Sequence, residues 1–197
     1  MRISRKAIVA LAVLALIGGV LLQSRQTSAQ DGNRLSKTIR IQAQAMGTST
    51  QLGRNFAVNL RIDEFSTTED QQALLVAFTE KGNEGLVNAL SKMSGKGRIS
   101  IPGTLGYDVN YIKKFDMPDG STKIRLVTDR PITFGEHWGD SRSRDYSLSG
   151  AEIILYPDNK KNSGMLAPAC RFKIDKEKQL HLELLQNEWK LVEVQQS

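Results

Sequence analysis

The segment FGEHWGDSRSRDY, residues 134–146, is the most chemically crowded stretch of the chain. It holds Glu136, His137, Trp138, Asp140, Arg144 and Asp145, with Gly135 before them and Gly139 among them. An acid beside a histidine is the pair a general base needs for hydrolysis. Glu136 and His137 are sequence neighbours, so in extended backbone their side chains point opposite ways. Asp140 or Asp145 would have to fold back onto His137, with Ser141, Ser143 or Ser147 as nucleophile. The G-x-S-x-G elbow that would present such a serine is absent. Metal binding is a second chemistry, since Glu136, His137 and Asp140 offer one imidazole and two carboxylates to zinc, calcium or manganese. Neither H-E-x-x-H nor the twelve-residue calcium loop is present. The third reading, and the favoured one, is a strand-connecting loop anchored by Trp138, its arginines and acids forming weak surface pairs. No catalytic residue, cofactor or metal is therefore assigned. If these six residues have a role, it is expected to be binding, which loops on a rigid β scaffold often carry.

The elements on either side must position this loop. In NFAVNLRID, 55–63, Phe56, Val58, Leu60 and Ile62 alternate with polar residues, the period of a half-buried strand. KTIRIQAQA, 37–45, reads as the strand before it. The period then changes. Ser66 with Glu69 three residues on has capping-box spacing, Leu74, Leu75 and Phe78 share a helical face, and Gly82 is a stop. Asn83 can cap a second helix carrying Leu86, Leu90 and Met93, so two short helices are expected across 67–93. Their apolar faces are too small to stand alone and must pack on a sheet. From 97 onward the chain reads as strand and turn: GRISIPG; YDVNYIKKF, 107–115; the turn DMPDG; STKIRLVTD, 121–129; then strands at 146–157, 165–175, 179–185 and 189–194 in a meander. The fold class is α+β, mainly an antiparallel β-sandwich or barrel with two short helices inserted after the early strands.

The first residues read as an address rather than as fold. Arg2, Arg5 and Lys6 precede an apolar run from Ala7 to Leu22, and small residues at Thr27 and Ala29 complete a signal-peptide pattern. The run is shorter than the roughly 20 residues of a membrane-spanning helix. The expected organisation is 1–29 signal peptide, 30–36 flexible leader and 37–197 one mainly-β domain. The whole chain has 27 Lys and Arg against 21 Asp and Glu. Losing Arg2, Arg5, Lys6 and Arg25 leaves 23 against 21, with no basic stripe of the kind nucleic acid requires. No nucleic-acid partner and no stable membrane span after signal removal are expected. Cys170 is the sole cysteine. It alternates with Phe172 and Ile174, which suits a small buried residue better than a reactive thiol. Tyr107, Tyr111, Phe115 and Trp189 are candidates to line an apolar pocket.

From about 54 to 194 the chain resembles an uncharacterised family of exported bacterial proteins. The likeness is carried by EGLVNALSKM, GRISIPGTLGYDVNY, RLVTDRPITF and SRDYSLSGAEIIL, in that order. Members carry an aromatic directly after Asp-Arg-Pro-Ile-x-Phe and then an acid; here Gly135 takes the aromatic slot and Glu136 supplies the acid. The resemblance implies export and the β-meander fold, and brings no established activity, cofactor or catalytic residue. The expected function is an exported, periplasmic or extracellular, non-enzymatic binding or structural module. The alternatives are a carrier of a small apolar ligand, and a hydrolase or metal-binding protein using the 134–146 loop.

Overall fold

A computed structural model of the chain describes residues 34–132, 146–174, 180–184 and 187–197. The row that alternates most cleanly is the centre of the fold. Strand β2, Asn55–Glu64, buries Phe56, Val58, Leu60 and Ile62 and turns Asn59 and Arg61 outward. Strand β1, Arg34–Met46, lies antiparallel beside it, with Ile41 opposite Leu60 and Ala43 opposite Val58. β1 opens within the stretch 30–36 that reads as a leader. Arg34 pairs with Glu64, and the register is irregular from there until Ile39 meets Ile62.

The remaining strands are β3, Gly97–Ser100; β4, Tyr107–Val109; β5, Tyr111–Asp116; β6, Thr122–Thr128; β7, Leu148–Leu155; β8, Ser163–Ile174; β9, Leu180–Leu184; and β10, Trp189–Gln196. All pairings are antiparallel, and the order across the sheet is β4-β3-β2-β1-β10-β8-β7-β6-β5, with β9 attached to β8. The sheet curls into a nearly closed barrel. Its two end strands, β4 and β5, are separated in the chain by Asn110 alone.

Residues 107–115, expected as one strand, are therefore two. At Asn110 the chain turns a corner and the inward phase shifts, so that Val109 and Ile112 both face the interior and Tyr111 faces out. Asn110 accepts the Asp129 N–H at 3.3 Å. Ser66 seals the edge of β5: its N–H donates to the Ile112 carbonyl at 2.7 Å, and its hydroxyl accepts the Ile112 N–H at 2.9 Å. Such an edge would otherwise offer unpaired backbone groups to another chain.

The expected four-strand meander at the C-terminal end is also corrected. β10 does not follow β9 in the sheet. It lies between β1 and β8, with Leu191 opposite Ala45 on one side and Gly164 on the other. β8 is long enough to use two partners on one edge: residues 164–166 pair with β10, and residues 170–174 with β9.

One helical element, α1, Thr68–Leu90, stands where two helices were expected. Its backbone leaves helical geometry at Gly82, where φ is 60° and ψ −142°. Only glycine enters that region at little cost, so the helix changes direction there without an intervening loop. Asn83 does not cap. Its side-chain amide donates to the Phe172 carbonyl at 2.6 Å and accepts the Phe172 N–H at 2.7 Å, tying the break to β8. The start is one residue later than the Ser66–Glu69 spacing suggests. Thr67 is the N-cap, its hydroxyl accepting the Asp70 N–H at 3.1 Å while the Asp70 carboxylate accepts the Thr67 N–H at 2.9 Å. Lys96 secures this end, its ammonium lying 2.7 Å from Glu64 and 3.2 Å from Asp70.

The apolar side chains form two cores. The first fills the barrel and includes Ile41, Leu60, Ile62, Ile99, Leu126, Ile153 and Trp189. The second lies between α1 and the outer face of β5–β8 and includes Leu74, Phe78, Leu86, Leu90, Tyr111 and Cys170. Among the described residues no helix is long and apolar enough to cross a membrane.

Candidate functional site

The second core is incompletely filled, and the strand register explains why. On the outer face Val127 of β6 stands opposite Gly150 of β7, which stands opposite Ala167 of β8. Val127 and Gly150 line the cleft, and the missing side chain of Gly150 leaves its floor low. Above it, α1 contributes Leu74, Leu86 and Leu90, which cannot reach down to close the gap. The result is an apolar cleft of about 180 Å³, walled also by Tyr111, Met165, Cys170 and Phe172. Phe78 of α1 meets Phe172 edge-on, ring centroids 6.1 Å apart, and keeps helix and sheet together beside the cleft.

One side of the cleft is charged. Arg125 and Glu152 are directly opposed across β6 and β7 and both line it. The Glu152 carboxylate receives Arg125 at 2.8 Å and Lys123 at 3.2 Å. Burial pushes the Glu152 carboxyl upward, but the hydrogen bonds and charges of Arg125 and Lys123 outweigh it, and the group ionises below its ordinary value. The Arg125 guanidinium also lies 5.5 Å over the Phe115 ring.

Two polar groups in the apolar wall differ in what they can do. Among the described residues the Tyr111 hydroxyl is buried without a hydrogen-bond partner. Burial raises its pKa; nearby Arg125 opposes the rise and Asp70 adds to it. A neutral phenol between those charges is a ready donor to any acceptor that reaches it. Cys170 is only 1% exposed, and burial pushes its thiol up to about 12. A thiol of that pKa is not a nucleophile near neutral pH, so Cys170 serves as wall.

Of the four aromatic residues proposed for an apolar pocket, the structure brings Tyr111 to the cleft. Phe115 lies on the same outer face beneath Arg125. Tyr107 packs against the barrel core, and Trp189 is fully inside it, its ring centroid 4.7 Å from that of Phe56. The phase shift at Asn110 separates Tyr107 from Tyr111. The residues that complete the cleft were not singled out as a site in the sequence. The signal available was Gly150, a glycine inside the apolar strand LSGAEIIL, where a missing side chain leaves space.

Glu136, His137, Trp138, Asp140, Arg144 and Asp145 lie outside the described residues. The residues flanking them are held firmly. Ile132 donates its N–H to the Pro168 carbonyl at 2.9 Å and to the Ser149 hydroxyl at 2.6 Å, and the Arg171 guanidinium covers the Tyr146 ring at 4.7 Å. Among the described residues no group of three or more His, Cys, Asp or Glu side chains is placed to hold a metal. Comparison with protein-family models, with curated proteins and with solved structures returns no match to this chain.

Proposed function

We propose that this is an exported, non-enzymatic binding protein, and that the cleft between α1 and the sheet receives a small apolar ligand. The observation that carries the reading is the cleft itself, an apolar space whose wall contains an unsatisfied donor, Tyr111. At about 180 Å³ it is smaller than the roughly 300–1,000 Å³ of drug-sized sites. It is close to the roughly 150 Å³ of a dry apolar cavity that accepts benzene. The ligand is therefore one ring, a short alkyl group, or the end of something larger, with one hydrogen-bond acceptor. On this reading the two halves of α1 act as a cover hinged at Gly82, which is the sense in which the α+β description with two helices is kept. Export rests on the basic, apolar and small-residue pattern of 1–29, and on the resemblance over 54–194 to exported bacterial proteins; a mature chain starting at or near Gln30 is the expected product.

Titration with toluene and with benzaldehyde, followed by methyl NMR, tests the site. Saturable shifts should be confined to Leu74, Leu86, Leu90, Val127 and Met165, and benzaldehyde should bind more tightly. Val127→Phe, checked for folding by its unfolding curve, should abolish both. Shifts that are absent, or spread over the surface, would end the reading.

A further inference from the structure

A row of arginines lies on the outer face of β1–β3, away from α1. Arg40 stands directly opposite Arg61, and Arg61 directly opposite Arg98. Two residues along each strand, Gln42, Asn59 and Ser100 form the adjoining row. Like charges directly opposed across strands are destabilising, so this row needs an explanation.

The three arginines are not equally engaged. Arg98 is fully committed: Nε and Nη2 meet Asp108 at 3.0 and 2.7 Å, and Nη1 donates to the Leu105 carbonyl at 2.8 Å. Arg61 uses Nε alone, 3.0 Å from Asp63. Arg40 makes no side-chain hydrogen bond or ion pair among the described residues. Arg40 and Arg61 thus stand opposite one another with one carboxylate in contact, Asp63, which meets Arg61 and also accepts the Thr38 hydroxyl at 3.2 Å. They border a shallow groove of about 260 Å³ that Gln42, Asn59 and Ser100 also line.

We propose that this groove binds an acidic oligosaccharide. A sugar carboxylate bridges Arg40 and Arg61, whose planar forks match it. The Gln42 and Asn59 amides, each both donor and acceptor, meet ring hydroxyls. The spacing suits this occupant. Neighbouring strands lie roughly 4.8 Å apart, close to the length of one hexose unit, so a sugar chain running across the strands sets successive rings over successive strands. Arginine and amide rows are roughly 6.7 Å apart along the strand, which places the acid on one side of a ring and the hydroxyls on the other. A ligand that is charge alone would leave the amide row without a role.

Calorimetric titration with a uronic-acid trisaccharide tests this, with maltotriose and inorganic tripolyphosphate as controls. The uronic trimer should bind, more weakly as salt rises. Arg40→Ala and Arg61→Ala should each weaken it at least tenfold; both sites are exposed, and such variants fold. The double variant Gln42→Ala, Asn59→Ala should weaken the uronic trimer while leaving the residual tripolyphosphate binding unchanged. No binding of the uronic trimer, equal binding of maltotriose, tripolyphosphate as tight as the trimer, or arginine variants without effect would each overturn the proposal. None of these outcomes bears on the cleft beneath α1.

Discussion

Tyr111→Phe should make the protein more stable. A phenol hydroxyl is hydrated in the unfolded chain, and in the folded one it is buried with no partner among the described residues. Leaving such a group unsatisfied costs about 1–3 kcal/mol. Removing the oxygen abolishes that cost, and the gap left by one atom is small against it. The ring remains to pack against the leucines of α1. The expected gain of about 1–3 kcal/mol corresponds to roughly 2–4 °C in Tm per kcal/mol for a domain of this size. In urea the midpoint should rise with an unchanged slope, because the surface exposed on unfolding is the same. Ser149→Ala supplies the contrast. The Ser149 hydroxyl accepts the Ile132 N–H at 2.6 Å and reaches the carbonyls of Pro168 and of Arg130, the latter at 3.0 Å. Losing it removes these bonds, although Ile132 and Pro168 keep each other and the Arg130 carbonyl keeps Thr128, so the cost should be about 0.5–1.5 kcal/mol. Saturating benzaldehyde should narrow the gap between Tyr111→Phe and the parent by stabilising the parent more. If Tyr111→Phe lowers the midpoint, the hydroxyl has a partner in solution, and the argument for a ligand acceptor collapses.

Truncating Leu60, 3% exposed, to alanine should cost about 2–5 kcal/mol. Arg61→Ala, next to it but outward, should stay within roughly 0.5 kcal/mol; equal losses in denaturant would show that the facing of β2 is wrong. Cys170 should resist a thiol reagent in the folded protein and react at once in denaturant, and fast native labelling would contradict the burial argued for it. Glu152 ionises below its ordinary value of 4.5, so its contribution is complete above pH 4.5 and is lost as pH falls through the lower folded value. Urea midpoints measured down through that range should therefore decline less in Glu152→Gln than in the parent, and parallel curves would refute the ion-pair account.

What could be read from the residues beforehand depended on the range of the interaction. The inward row of β2 was legible because period two is local. So was a break near Gly82, since the left-handed side of backbone space marks glycine wherever it occurs. The corner at Asn110 within 107–115 could not be placed without knowing that both sheet edges meet there. The position of β10 could not be read: its partner β1 lies far away in sequence, and turn residues show only which strands are neighbours in the chain. The cleft was hidden for the same reason. Val127 and Gly150 come to face the leucines of α1 only when the register is set, and Gly150 within its apolar strand was the one local hint.

The place of β10 has a consequence for how the chain acquires its structure. Without it the sheet is two runs of sequence neighbours, β4-β3-β2-β1 and β8-β7-β6-β5. Each can zip locally through short connections or the α1 crossover. Both then present an open edge, β1 on one side and residues 164–166 of β8 on the other. β10 is the last strand in chain order and the one that covers both. The seam it makes with β1 closes a loop spanning nearly the whole domain, an entropic cost that grows only slowly with length but must be met before any seam contact forms. Folding should therefore finish with a single late strand insertion. Until that strand arrives, a free peptide of the β10 sequence could occupy its slot in trans.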